Sequence, residues 1–230
     1  FFSQAFYANW PEGKAGFLFV ESKDYLGYIV PVENLLNEGE YYELSANGEK
    51  QFANRPPGML PTYGPLYALF ERETALNVIV LLQILLDAIG VLLVAKIVLM
   101  LTRSQRAFWL AFFLYGLSSF VSVYTHHAVS ENQSTFLILL SMFLFVRWHV
   151  RKLGTAQLFY VGLIVTWAVF LRPVAGILFL VYSGFICFSA IKSWKFLARI
   201  KQLTMLCIAF AVVETAWVTR NYLKMDKLVP

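Results

Sequence analysis

Long apolar runs separated by short polar loops dominate the chain after residue 73. The runs cover approximately residues 74–101, 107–126, 133–149, 155–171, 174–191 and 202–220. Most have roughly the 17 to 25 residues that cross about 30 Å of hydrocarbon as an α-helix. Because lipid offers no partner to unpaired backbone groups, such runs are expected to be helical. The pattern predicts an all-α, polytopic transmembrane region of about six helices over 74–230.

Residues 1–73 follow a different pattern, rich in Tyr, Pro and Gly and without a spanning run. Apolar residues recur there at helical spacing between Asp24 and Asn37, and Gly39 follows as a stop signal. The repeating positions are Tyr25, Ile29, Val32 and Leu36. A second short helix, about Leu60 to Phe70, is expected after a proline-rich turn. This region is predicted to be an external loop with amphipathic juxtamembrane helices.

Composition supports a membrane protein. The chain is 59% hydrophobic and 14% charged, with a mean hydropathy of +0.62, which exceeds what one soluble core of 230 residues would hold. Cys187 and Cys207 both lie in apolar runs, so they are interpreted as packing residues rather than a disulfide or zinc site. The chain begins without Met and stops at Pro230 directly after an apolar run, so we expect a fragment at both ends.

The distribution of charge predicts an orientation and argues against nucleic acid as a partner. Residues 1–73 carry ten acidic and five basic side chains, although the whole chain has a net charge of +5. The surplus basic residues lie in three short loops: Arg103 and Arg106; Arg147, Arg151 and Lys152; Lys192, Lys195, Arg199 and Lys201. By the positive-inside rule these loops are cytoplasmic. Residues 127–132, Arg172-Pro173 and 220–230 then share the external face with the first 73 residues.

Two charged residues stand out in the external loop. Asp24 begins the amphipathic helix, where its carboxylate would cap backbone N–H groups or, alternatively, take a proton from an acceptor hydroxyl. Arg55 lies in the stiff turn Asn54-Arg55-Pro56-Pro57-Gly58. Its planar guanidinium suits a phosphate, and the alternative is an exposed loop arginine.

On the same predicted face, Glu131 begins one apolar run and Arg172 ends another. The position of Glu131 is also typical of helix capping, and Arg172 would either snorkel or bind lipid and substrate phosphates. His126-His127 precede Glu131, but consecutive ring nitrogens seldom point at one ion, so a metal site is not indicated. Charges inside the apolar runs usually face a cavity or a partner; they are Asp87, Lys96 and Glu214.

Five segments occur in a characteristic order along nearly the whole chain. They are Asp24-Tyr25 with Tyr28 and Glu33-Asn34-Leu35-Leu36 before Gly39; Arg55-Pro56-Pro57-Gly58; Ser130-Glu131; Arg172-Pro173; and Trp217 with Arg220-Asn221-Tyr222. Together they resemble the family C membrane glycosyltransferases (GT-C), specifically the bacterial relatives of protein O-mannosyltransferases and of the lipid A aminoarabinose transferase. The resemblance implies a GT-C-like fold.

That resemblance also implies roles for individual residues. Members of the family use a polyprenyl-phosphate sugar as donor, and the acceptor here would be a lipid, glycan or protein. Asp24 would be the general base, and Glu131 would orient the acceptor or the base. Arg55 would hold the donor phosphate, while Arg172 and Arg220 would add positive potential near the leaving phosphate. No cofactor is implied, and a divalent metal requirement is left open.

The implied reaction is an inverting transfer in which one carboxylate base suffices, because a phosphate leaving group needs no acid, unlike the leaving oxygen in a glycosidase. The expected location is the bacterial inner (plasma) membrane, with the catalytic loop on the periplasmic side. The competing interpretation is a transporter or flippase of lipid-linked substrates, which would also have spanning helices and intramembrane charges. The long external loop with Asp24 and Arg55 favours the enzyme.

Overall fold

The computed structural model describes residues 18–20, 24–45, 47–52, 54–118, 123–193 and 196–226. In this part of the chain there are eight α-helices: α1 (Tyr25–Glu38), α2 (Leu60–Leu69), α3 (Arg72–Thr102), α4 (Gln105–Gly116), α5 (Ser130–Arg151), α6 (Ala156–Leu171), α7 (Ile177–Ser193) and α8 (Phe196–Met225). Two 3-10 helices cover Val123–His126 and Pro173–Gly176. One antiparallel hairpin pairs β1 (Glu43–Leu44) with β2 (Lys50–Gln51). The predicted all-α class is confirmed.

Three of the described helices, α3, α5 and α8, are long and apolar enough to cross a membrane, judged by length and composition. Shorter apolar helices cover Ala156–Leu171 and Pro173–Ser189. Since membranes accept helices whose backbone groups are satisfied internally, these segments have the form that lipid requires.

The first predicted amphipathic helix is present as α1. It ends at Gly39, which adopts the left-handed region (φ 77°) and donates its N–H to the Leu35 carbonyl at 3.0 Å. Three of the four repeating apolar positions, Tyr25, Ile29 and Val32, are buried, whereas Leu36 is 45% exposed. The fully buried residues of α1 end at Val32, and Leu35 beyond them is partly buried against the same core.

The apolar run 107–126 does not form one helix, which corrects the sequence prediction. Helix α4 ends at Gly116, and the chain resumes as the 3-10 helix Val123–His126. Glycine disfavours continuation of a helix because it loses the most backbone freedom. Residues 119–122 of this run lie outside the described residues, as do residues 1–17 of the predicted external loop.

Two hydrophobic cores hold the helices together. One lies where α1 and α2 cover the first half of α3 and the ends of α5 and α6, and it includes Ile29, Tyr63 and Leu171. The other joins α5, α6, α7 and α8, with the rings of Phe145 and Tyr182 stacked at 4.2 Å between centroids. Helices α6 and α8 approach closely at Gly162, where an added Cβ would clash with the Leu206 carbonyl.

We call the end of the helices that is covered by α1, α2 and the hairpin the capped end. The start of α3 is fixed there by Glu33, whose carboxylate accepts a 2.8 Å hydrogen bond from Arg72 Nε. The start of α5 joins α3 through Gln83, whose side-chain amide donates to the Val129 carbonyl at 3.1 Å. The ends of α6 and α8 also reach this end, as the contacts of Arg172 and Arg220 show below.

Candidate functional site

Asp24 and Arg55, from distant parts of the chain, form an ion pair at the capped end. Asp24 Oδ1 lies 3.5 Å from Arg55 Nη2, and the Asp24 side chain is 77% exposed. Asp24 occupies the N-cap position of α1, as predicted, but its side chain accepts no capping hydrogen bond from the helix. The carboxylate faces the guanidinium and solvent instead.

The Arg55 guanidinium is enclosed by the first turn of α1. Its Cζ lies 4.0 Å from the centroid of the Tyr28 ring, a cation–π contact. Gly27 makes room for it, since a Cβ at that position would lie 2.9 Å from Arg55 Nε. With only 28% of its side chain exposed, Arg55 is an oriented cation rather than a freely moving loop residue.

The proline-rich turn that carries Arg55 is docked onto the end of α6. Trp167 Nε1 donates a 2.9 Å hydrogen bond to the Gly58 carbonyl. Gly58 lies so close to the backbone of Phe170 and Leu171 that a Cβ would overlap it. Because Arg172 follows Leu171 directly, this contact couples the position of Arg55 to that of Arg172.

Arg172 and Glu131 form the second ion pair. Arg172 Nη1 lies 2.9 Å from Glu131 Oε1. Arg172 has an extended backbone (φ −146°, ψ 113°), as expected before Pro173. Glu131 occupies the first turn of α5, where the helix dipole favours a carboxylate. Its second oxygen, Oε2, is buried and has no hydrogen-bond partner among the described residues.

A cavity of about 150 Å³ lies between the two proline turns. Pro56 and Pro173 both line it, together with Phe170 and Trp217. Glu214, one of the three charges predicted inside apolar runs, also lines this cavity. Asp87 lies elsewhere, within electrostatic range of Tyr115 on α4.

Arg220 lies on α8 and binds the hairpin region instead of either ion pair. Its guanidinium donates to the backbone carbonyls of Tyr41 and Phe52 and, at 2.9 Å, to Asn221 Oδ1. It also lies 5.0 Å from the centre of the Trp217 ring. Through these contacts Arg220 attaches the hairpin region to α8. Its predicted role toward the donor phosphate is not tested by them and stays a prediction.

Tyr41 connects Arg220 with Arg55. Its hydroxyl donates to the Pro56 carbonyl at 3.2 Å, and the residue lies within electrostatic range of both arginines. Burial raises the pKa of the Tyr41 phenol, so it remains a hydrogen-bond donor. Burial also raises the pKa of the Glu43 carboxyl, while nearby Arg55 acts in the opposite direction.

Sequence reasoning missed several residues of this site. Tyr28 was part of a segment named in the sequence analysis but was given no role, and Gly27 and Glu43 carried no signal beyond ordinary helix and loop composition.

The two histidines before Glu131 face the backbone of residues 18–20. His127 Nδ1 lies 2.9 Å from the Val20 carbonyl, and His126 Nδ1 lies 3.4 Å from the Leu18 carbonyl.

No protein-family model, curated protein or solved structure matches the chain. The site must therefore be interpreted from its own geometry.

Proposed function

We propose that this chain is part of a membrane glycosyltransferase with a GT-C-like fold. It moves a sugar from a polyprenyl-phosphate donor to an acceptor at the external face of a membrane, in the simplest case the periplasmic face of a bacterial inner membrane. The observation that supports this proposal is the assembly of two carboxylate–arginine pairs, Asp24–Arg55 and Glu131–Arg172, at one end of the apolar helices.

Arg55 and Arg172 bind the donor phosphate in this proposal. A phosphodiester carries one negative charge, and its departure from the sugar leaves a phosphate with a second one. Both arginine side chains are partly exposed, at 28% and 42%, and each is paired with a carboxylate and adjoins a proline turn. Oriented cations of this kind stabilise charge that develops in the transition state. Arg220 adds positive potential from α8 while it holds the hairpin.

Asp24 is the general base. It takes the proton of the acceptor hydroxyl as that oxygen forms a bond to the anomeric carbon. The bond between the anomeric carbon and the phosphate oxygen breaks in the same step, and its electron pair stays on the phosphate. Attack from the face opposite to the leaving group inverts the anomeric configuration. The high exposure of the Asp24 side chain leaves its carboxylate accessible to an acceptor.

Because the Asp24 side chain is exposed, its role in catalysis can be tested separately from its contribution to the stability of the fold. Ion pairs on protein surfaces contribute about 0–1 kcal/mol to the free energy of unfolding. Replacement of Asp24 by Asn is therefore expected to leave the protein folded, so that a loss of turnover reports chemistry.

The test uses the complete protein in lipid nanodiscs and measures sugar transfer from polyprenyl-phosphate donors. Asp24→Asn and Arg55→Ala are expected to lower the transfer rate by about 100-fold or more. Glu49→Gln and Arg106→Ala, exposed charges outside the site, are matched controls with an expected rate near that of the unaltered protein. Near-normal transfer in both site variants would refute the proposed glycosyltransferase function. Movement of lipid-linked substrate without product would indicate the transporter or flippase.

A further inference from the structure

A second cavity, of about 360 Å³, opens beside the Glu131–Arg172 pair. This volume lies within the range of roughly 300–1,000 Å³ that is typical of ligand pockets. Six of its eight lining residues have polar side chains, and the wall comes from the first turns of α5, the segment after α6 and the 3-10 helix before α5. The polar lining residues are Tyr124, Glu131, Asn132, Ser134, Thr135 and Arg172.

The first turns of α5 bury polar atoms that no described residue satisfies. Asn132 and Ser134 are each 2% exposed and line the cavity. Asn132 Nδ2 and Oδ1, Ser134 Oγ and Glu131 Oε2 have no hydrogen-bond partner among the described residues. A buried polar group without a partner is destabilising, so native proteins keep such groups chiefly where function uses them. The unpaired polar atoms in the first turns of α5 therefore indicate a ligand that would pair with them.

The chemistry of these groups selects an uncharged, hydroxyl-rich ligand. Asn132 offers both a donor and an acceptor, the Ser134 hydroxyl offers both, and Glu131 Oε2 accepts. Sugar hydroxyls, which also donate and accept, match this set. Glu131 and Arg172 neutralise each other as an ion pair, so the part of the ligand beside Asn132 and Ser134 needs no net charge. Tyr124 adds an aromatic wall, which suits the apolar face of a sugar ring.

We propose that this cavity binds the sugar of the donor and that Asn132 and Ser134 determine which sugar is accepted. The inference rests on the proposed function, in which Arg172 binds the donor phosphate. Because the sugar is bonded directly to that phosphate, it must lie within one bond of the group that Arg172 holds, and Arg172 lines this cavity. Each hydroxyl contact would be discriminating, because a sugar without the matching hydroxyl leaves the buried groups of Asn132 and Ser134 unpaired.

The three variants that test this proposal all lie in α5. Asn132→Leu and Ser134→Ala remove polar atoms from the cavity with little loss of volume. Gln133→Leu is the control, because Gln133 is equally buried at 1% exposure but does not line the cavity. The Gln133 side-chain oxygen instead accepts a 2.9 Å hydrogen bond from Thr62 on α2.

The first measurement is thermal unfolding of the complete protein in nanodiscs that contain no glycoside detergent, titrated with methyl glycosides of mannose, glucose, galactose and arabinose. At least one glycoside is expected to raise the melting temperature of the unaltered protein and of Gln133→Leu. Its apparent affinity should fall about 10-fold or more in Asn132→Leu and Ser134→Ala. The cavity assignment is overturned if no glycoside stabilises the unaltered protein, or if both cavity variants bind as it does.

Two further readouts separate this inference from a structural role and from the proposed function. Without sugar, Asn132→Leu is expected to melt at the same temperature as the unaltered protein or higher, since it removes unpaired buried atoms. A residue that stabilised the fold through its own polar contacts would lose stability in this variant. Binding of polyprenyl phosphate without a sugar tests the proposed function separately. If the bare lipid phosphate binds and the sugar adds no affinity, the assignment of the cavity to the sugar is wrong, but the proposed glycosyltransferase function is not contradicted.

Discussion

At the scale of single residues, Gly27 controls the position of the Arg55 guanidinium. The space that a Cβ would occupy at Gly27 is taken by the Nε and Cζ atoms of Arg55, at 2.9 and 3.0 Å. Since the far end of a flexible side chain can move, an added methyl group would displace Arg55 rather than distort the backbone. The substitution is therefore expected to change the geometry of the site and to leave the fold intact.

Gly27→Ala is expected to have opposite effects on stability and activity. Alanine in the interior of a helix is more favourable than glycine by about 0.5–1 kcal/mol, so the melting temperature should stay level or rise. Displacement of Arg55 from the Tyr28 ring should lower sugar transfer by about 10-fold. Gly184→Ala, in α7 with nothing within 4 Å of the added Cβ, is the control for a general helix effect. Unchanged transfer in Gly27→Ala would show that the reaction does not depend on the position of Arg55 against the Tyr28 ring.

The site residues that sequence analysis selected were charged, because charges are rare near apolar runs and stand out there. Asp24 and Arg55, and likewise Glu131 and Arg172, are brought together by the fold. Neutral polar residues give no such contrast. Asn132 is the clearest case, since an amide in the first turn of a helix is ordinary and only burial without a partner makes it unusual.

At the scale of elements, the hairpin is tied to the end of α8 by a small charge network. Glu40 lies between two lysines, with Oε1 2.6 Å from Lys224 Nζ and Oε2 3.0 Å from Lys50 Nζ. The Lys224 hydrogen bond, followed by that of Lys50, lowers the pKa of Glu40 from 4.5 to about 2. Arg220 adds the backbone contacts described above.

This network predicts how attachment of the hairpin depends on pH. Because the folded pKa of Glu40 is below its usual value, its contribution is complete above about pH 4.5 and is lost as the pH falls through about 2. A dye on Glu49→Cys, at the turn of the hairpin in a protein without Cys187 and Cys207, reports this loosening as a fall in fluorescence anisotropy.

Glu40→Gln isolates the contribution of that carboxylate from those of other acids nearby, such as Glu38, which also lies 3.7 Å from Lys50. The variant should show lower anisotropy already at pH 7 and a flatter dependence between pH 4.5 and 2. Identical pH profiles for the two proteins would mean that the hairpin is held by Arg220 and its other contacts instead.

Helices with strong patterns were predictable from the sequence, and other elements were not. Helix α1 begins and ends within one residue of the predicted span, because its apolar spacing and its terminal glycine act locally. Two-residue strands such as β1 and β2 are too short to show a period. The interruption after α4 was missed because hydropathy detects an apolar run without distinguishing a continuous helix from a turn.

At the scale of the whole molecule, charge divides the structure into two ends. Helix α3 has 31 residues, which at about 1.5 Å per residue gives a length of roughly 45 Å. It begins at the capped end with Arg72, and Arg106 follows just beyond its other end. The acidic region before Arg72 and the basic residues Arg103 and Arg106 are thus separated by the length of the longest described helix. This is the arrangement that the positive-inside rule gives to a spanning protein.

Cysteine labelling in cells tests that arrangement. In a protein without Cys187 and Cys207, a membrane-impermeant maleimide should modify Glu49→Cys in intact cells and Arg106→Cys only after permeabilisation. Both positions are exposed, so access depends on the membrane and not on burial. Labelling of both positions in intact cells would contradict a bilayer between the two ends. The reverse pattern would place the two ion pairs inside the cell, which would overturn the external reaction while leaving the geometry of the site intact.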